Sequence, residues 1–350
     1  MQRSSHRHTL YRTQDELAGD FPMGRFGCKH GWSGSDSGRR CQGRMDGVHD
    51  RTGATHRAGG TTLAPSSLLF VPANSERKVA KALDTAADIV ILDLEDAVAP
   101  AAKEDARRLA CDVLRARRRP IAVRVNAMDT DWYLHDLAAI GIIAPDIIML
   151  PKCASAADVA QLSQQLDVLE IVANAVPGGT AILPLVTETA AALGQLDYRN
   201  ASRRLCGLGF AGEDLAADLG VEGRGSTGFN PLLAQARNAV AVAAAAAGVD
   251  AIDTPFPDPR DEAGLAREAT EAARLGFAGK MCIHPAQIEP IHIAFRPGAE
   301  AVRWAHAVVE AFATPAADGV TLLDGKMIDR AHLRLAERRL RRIDVEASAS

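Results

Sequence analysis

The sequence predicts an α/β fold, a (β/α)8 TIM barrel with a C-terminal helical extension, and three observations predict the barrel. Short β-branched apolar runs alternate with longer helix-forming stretches from residue 66 onward. The runs are apolar nearly throughout, as are the strands of a parallel sheet covered on both faces. Eight strand–helix units follow one another, the number that closes such a sheet into a barrel. A doubly wound open sheet is the rival, disfavoured because no GxGxxG follows the first strand.

In order, SLLFVPA (67–73) leads into the helix-forming ERKVAKALDTA, and IVILDLED (89–96) into KEDARRLACDVLRARR. IAVRVNA (121–127) is followed by WYLHDLAAI, IIMLPK (147–152) by SAADVAQLSQQL, and AILPLVTE (181–188) by AALGQL. RLCGLGF (204–210) precedes the long helix NPLLAQARNAVAVAAAAAG, whose alanines read as packing. DAIDTPF (250–256) precedes DEAGLAREATEAARLG, and KMCIHP (280–285) is the eighth strand. Helical material then fills 286–313, and VTLLDGKMIDRAHLRLAERRL (320–340) reads as a turn and a basic helix. The expected division is a barrel over 63–296 and a helical extension over 297–350.

The first sixty residues differ in kind. They hold 11 of the 29 glycines and five of the ten histidines, with almost no apolar periodicity. Such a segment buries too little surface to offset chain entropy, so residues 1–62 read as a disordered tail or an over-extended start. No apolar core of a secretory signal is present, and six acids argue against a transit peptide. Cys28, His30 and Cys41 lack metal-ligand spacing.

Composition narrows the function. With 47% apolar and 24% charged residues the chain has the balance of a water-soluble globular protein. A net charge of −4 speaks against nucleic acid as a partner, and no apolar run approaches the ~20 residues of a membrane span. The six cysteines form no CxxC pair and read as reduced thiols of a cytoplasmic protein, Cys153 and Cys282 as small buried hydrophobes.

Barrel enzymes work at the C-terminal ends of their strands, and here those ends are polar. They carry Glu95 and Asp96, Arg124 and Asn126, Lys152, Thr187 and Glu188, Glu213 and Asp214, Asp253 and Thr254, and His284. Glu188 and Asp214, from adjacent strand ends, are hard oxygen donors suited to Mg2+ or Mn2+. Asp214 could instead serve the N-terminus of its helix. It belongs to GFAGEDLAADLG (209–220), where Glu213, Asp214 and Asp218 have no cation nearby before Arg224. The neighbouring acids read as capping and solvating that helix.

Arg124 lies within a strand between Val123 and Val125, where a charge needs a partner. It could grip a substrate carboxylate or pair with Glu95 or Asp96, and both can hold together. Glu95 and Asp96 could orient metal-bound water or Arg124, or Asp96 could cap the next turn. Lys152 reads as an electrostatic contact in preference to a Schiff-base lysine, and His284 as a structural helix start in preference to a base. On spacing alone Asp324, in the turn LLDGKMID, reads as solvated.

SLLFVPANSERKVAKAL, ADIVILDLEDAVAPAAKEDAR, VRVNA, MLPK, LPLVTET, GFAGEDLAADLG, AGVDAIDTPFPD, LGFAGKMCIHPAQI and DGKMID, in this order over residues 66–340, resemble the citrate lyase β-subunit/malyl-CoA lyase family. The resemblance implies a (β/α)8 barrel and Mg2+-dependent cleavage of a 3-hydroxyacyl-CoA thioester into a 2-oxo acid and an acyl-CoA. It implies Glu188 and Asp214 as metal ligands and Arg124 on the carboxylate and carbonyl end of the substrate. Asp324 would be the general acid/base on a lid that reaches a neighbouring subunit, in a homotrimer or hexamer. Two departures stand out. Many members begin RS-L-FVPG where this chain has Ser66, Ser67 and Ala73, so a CoA-phosphate arginine is missing and Lys81 and Arg77 are left to bind that end. The common FGAED is here Phe210-Ala211-Gly212-Glu213-Asp214, which keeps both acids.

Overall fold

The structure, a computed structural model, describes residues 65–225, 228–313 and 319–349. The expectation for residues 1–62 lies outside them. Eight parallel strands form the sheet: β1 (Ser67–Pro72), β2 (Ile89–Asp93), β3 (Ile121–Arg124), β4 (Ile147–Leu150), β5 (Ala181–Pro184), β6 (Gly207–Gly209), β7 (Asp250–Asp253) and β8 (Gly279–Cys282). Their order is β5-β4-β3-β2-β1-β8-β7-β6. Parallel bridges Ile182–Leu205 and Leu185–Gly209 join the two ends, so the sheet closes into the expected barrel. The seam is tight: a Cβ on Gly209 would lie 2.6 Å from Leu185 Cδ2, so a larger residue there would require Leu185 to shift.

Side-chain alternation sorts the apolar runs into two layers. Leu68, Ile89, Ile91, Ala122, Met149, Leu183 and Ile252 fill the barrel. Leu69, Val71, Val90, Leu92, Val123 and Ile148 face outward onto the helices. Strands buried on both faces are apolar nearly throughout, which is the pattern the sequence carries.

The returning helices are α1 (Glu76–Leu83), α2 (Lys103–Ala116), α3 (Asp131–Ile140), α4 (Ala156–Val172), α5 (Ala190–Leu193), α6 (Gly212–Leu219), α7 (Pro231–Ala247), α8 (Glu262–Leu275) and α9 (Ile288–Phe295). Ser75 caps α1, and Asn230 with Pro231 starts α7. No helix of the described residues is long and apolar enough to cross a membrane.

Between α7, α8 and the strands lies a buried charge cluster. Lys280 Nζ sits 2.6 Å from Asp253 Oδ2 and 2.7 Å from Glu268 Oε1, while Arg237 holds Asp253 at 2.9 and 3.0 Å. Asp253 therefore faces the helices. Its expected place among the polar residues of the mouth is corrected by the alternation that turns Ile252 inward.

Past the barrel come α10 (Ala299–Ala313), β9 (Val320–Leu323), β10 (Lys326–Asp329) and α11 (Arg330–Ala349). Ala305, Val308, Ile328 and Ala336 form a small core of their own. The DG turn is a two-residue hairpin: Asp324 and Gly325 have φ of 50° and 74°, the left-handed pair that matches strand twist. Beyond the turn, the structure adds an antiparallel strand pair that the sequence reading did not include.

Candidate active site

The mouth is built on inward-facing positions at the strand ends. Asp93 and Arg124 stand opposite each other in the β2–β3 register. Arg124 Nε donates to Asp93 Oδ1 at 2.8 Å and Nη2 to Oδ2 at 2.7 Å, while Phe70 lies 4.8 Å beneath the guanidinium. Burial works against the arginine's charge, and Asp93, then Glu95 and Glu188, more than restore it, so its pKa is raised. The same Asp93 accepts from the N–H groups of Glu95 at 2.9 Å and Ala97 at 3.3 Å. One carboxylate thus aims the arginine and folds the acid loop beside it.

Glu95 is 3% exposed. Its oxygens lie 3.1 Å from Arg124 Nη1 and 3.0 Å from Lys152 Nζ, close charge pairs angled away from hydrogen-bond geometry. Burial raises its pKa against the pull of these cations. Asp96 is exposed, 3.8 Å from Lys152.

Beneath the loop Lys103, the first residue of α2, donates to Leu94 O and Glu95 O at 2.7 Å and to Asn126 Oδ1 at 2.6 Å. Asn126 in turn donates to Asp136 of α3 at 2.6 Å, and Arg107 holds Asp136 at 2.8 Å. Asn126 therefore braces the loop from below. This support was not read from the sequence, where the lysine of KEDAR looks like any helix-surface lysine.

The metal question rests on Glu188 and Asp214. Glu188 is 4% exposed; Oε2 accepts from the Lys152 N–H, and Oε1 is buried without a hydrogen-bond partner. Burial, then the charges of Glu95 and Asp214, push its carboxyl up to about 8 against the Lys152 N–H and Arg124. Asp214, half-buried in the first turn of α6, is near enough for its charge to act on Glu188. Its loop is pinned to both neighbouring strands: Ala211 N donates to Thr187 Oγ1 at 2.9 Å and Gly212 N to Thr254 Oγ1 at 3.0 Å.

A buried carboxylate oxygen with no donor and a second carboxylate nearby fit a hard divalent cation. Among the described residues no group of three or more His, Cys, Asp and Glu side chains is arranged to hold a metal. A Mg2+ held by two carboxylates would complete its shell with water and substrate.

Other expectations resolve as follows. Arg124, Glu95, Asp96, Lys152, Glu188 and Asp214 come together at the mouth. Lys81 does not: it is exposed in the last turn of α1, which runs away from the mouth. Ser66 precedes β1 at the opposite end of the barrel, so its replacement of arginine does not alter the mouth. Glu213 is not merely solvating its helix, because Arg224 folds back to pair with it. Asp218 accepts from the Ala190 N–H at 2.7 Å. His284 is a structural N-cap, its Nδ1 accepting from Ala286 N at 3.1 Å. The four cysteines of the described residues are buried and free. Asp324 is exposed at the hairpin tip and takes part in none of the bonds of the mouth.

Three comparisons bear on this geometry. Residues 66–285 match the family model HpcH/HpaI aldolase/citrate lyase. The chain is 34% identical over 287 residues to the citrate lyase subunit beta of Escherichia coli K12, covering 78% of this chain and 93% of that protein. It is 36% identical over 290 residues to a (3S)-malyl-CoA thioesterase of Cereibacter sphaeroides, covering 81% and 95%. Among solved structures, the CitE protein of Mycobacterium tuberculosis in complex with magnesium, acetoacetate and coenzyme A aligns with a TM-score of 0.64 at 35% identity. That match covers 80% of this chain and 98% of that one.

Proposed function

The chain belongs to the HpcH/HpaI aldolase/citrate lyase family and is a carbon–carbon lyase, and from that premise we propose that it cleaves, reversibly, a carboxylate-bearing 3-hydroxyacyl-CoA into a 2-oxo acid and an acyl-CoA. Malyl-CoA, methylmalyl-CoA and citramalyl-CoA are the substrate types. The observation that carries the reading is a pinned arginine beside a buried, unpartnered carboxylate oxygen. Glu188 and Asp214 hold Mg2+, with Mn2+ as a substitute; similarity to a protein solved with magnesium and coenzyme A supports this. Bound there, the ion supplies Lewis acidity at the oxygen that becomes the new carbonyl.

Arg124 does the rest of the charge stabilisation. Asp93 occupies its Nε–Nη2 edge, which leaves Nη1, shared with Glu95, for the substrate carboxylate and the forming oxo group. As the substrate hydroxyl gives up its proton and its oxygen becomes the carbonyl, the carbon–carbon electron pair passes into the thioester to give an enolate, and that proton must return to the enolate carbon. Asp324, an exposed acid on a hairpin tip, is assigned that transfer, from the lid of a neighbouring subunit in a homotrimer or hexamer.

The test traps the 2-oxo acid as its phenylhydrazone from each of the three thioesters, with Mg2+, with EDTA and with Asp324→Ala. One substrate giving product that EDTA and the variant both abolish supports the reading. No product from any free thioester rejects it in favour of a carrier-bound citryl group, the alternative suggested by similarity to a citrate lyase subunit beta.

A further inference from the structure

Lys152 touches two acids of the mouth, Glu188 and Glu95, by two different parts of itself. Its backbone φ is 50°, a left-handed conformation for a residue with a side chain, directly after Pro151 at the end of β4. Such strain persists where the surroundings enforce it. Here it turns the Lys152 N–H onto Glu188 Oε2, while Nζ reaches Glu95 Oε1 at 3.0 Å. Glu188 is thereby presented with Oε1 free, and Glu95 is drawn towards Arg124 and Lys152. Without the ammonium, Glu95 keeps one close cation and adds its full charge to the field around Glu188 and Asp214.

We propose that Lys152 is a positioning residue that divides the carboxylates of the mouth, reserving Glu95 for the arginine and leaving Glu188 and Asp214 to the metal. The idea rests on the metal-dependent reading above. Its role is to keep a two-carboxylate site from becoming a three-carboxylate one, which would hold a divalent cation more tightly but spoil the arginine's alignment. Lys152 forms no covalent bond in this scheme. A Schiff-base lysine would need its amine free, whereas Nζ is engaged by Glu95.

The experiment titrates Mn2+, followed by its electron paramagnetic resonance signal, into the purified full chain and its Lys152→Met, Glu95→Gln and Lys152→Met/Glu95→Gln variants. Releasing Glu95 from its ammonium is expected to tighten Mn2+ binding by about tenfold in Lys152→Met. The double variant should return to wild-type affinity, because the extra attraction comes from Glu95. In turnover, Lys152→Met should raise KM more than it lowers kcat. Unchanged or weaker Mn2+ binding in Lys152→Met overturns the proposal, as does tightening that survives Glu95→Gln. A folding defect is recognised by thermal melting and cannot mimic tighter binding. If wild-type protein binds no Mn2+, the metal site of the proposed function fails first, and this division of the acids with it.

Discussion

At the scale of single residues, Asp93 decides more than its length suggests. Its two oxygens accept from Arg124 and from two loop N–H groups. Asp93→Asn keeps the shape but loses the charge and one acceptor, so Arg124 keeps only Glu95 close by. The expected outcome is a KM increase of roughly tenfold, together with a stability loss of about 2 kcal/mol seen in thermal or denaturant melts. An unchanged KM would mean that Arg124 is aimed by something else.

A second residue-scale prediction concerns pH. His292 of α9 lies 2.7 Å from Ser67 Oγ and 3.3 Å from Asp88 Oδ2. Asp88 raises the His292 pKa, with burial opposing it and Glu289 and Arg296 as further charged neighbours. Burial would raise Asp88, but His292 and the Ser67 and Ser66 N–H groups outweigh it, so its pKa is lowered. The histidine's share of stability is complete below its unfolded pKa and lost as pH rises through the folded one. The aspartate's share is present above its unfolded pKa and lost as pH falls through the folded one. The melting gap between wild type and His292→Gln should therefore be widest between about pH 4 and 6.5 and narrow in alkali.

At the scale of elements, the strands were legible and their polar braces were not. A strand buried on both faces is apolar nearly throughout, so IVIL and IIML name themselves. Helix starts have an equally local cause, as with the caps Ser75 and Asn230. Partnership across the fold has no such local signature. Lys103 reads as a surface lysine until α2 sets its ammonium against Leu94 O, Glu95 O and Asn126 Oδ1. Asp253 reads as a mouth acid until Lys280 and Arg237 claim it. Glu188 and Asp214 could be paired in advance because adjacent strand ends of a barrel are neighbours. The strained Lys152 that contacts both Glu188 and Glu95 could not. Lys103→Met would leave acceptors beneath the acid loop without their donor, and a loss of about 3 kcal/mol in melting is expected. Loop 93–97 should also gain hydrogen exchange while the opposite side of the barrel does not. Uniform exchange would place Lys103 in global stability instead of loop support.

At the scale of the whole molecule, the chain pairs a barrel with an extension that has its own small core. Barrel and helix layers hold their apolar clusters between β1 and α9, whereas Ala305, Val308, Ile328 and Ala336 pack among α10, the hairpin and α11. The two cores share no buried residue, so a chain ended after Arg296 should keep the barrel's circular dichroism and melting. It should also bind Mn2+ within a few-fold of the full chain, because Glu188, Asp214 and their supporting threonines all lie before that point. Turnover is the property that should go. Without Asp324 the enolate has no assigned proton donor, and loss of a general acid lowers kcat by roughly a hundredfold or more. The same truncation removes exposed Leu322 and Met327, the apolar side chains flanking the hairpin tip, so any oligomer that depends on the lid should fall apart in sedimentation. If the shortened chain binds metal, stays folded and turns over at full rate, the proton comes from the barrel itself and Asp324 has no part in the chemistry. If instead it unfolds, the extension completes the barrel and does not serve as a lid.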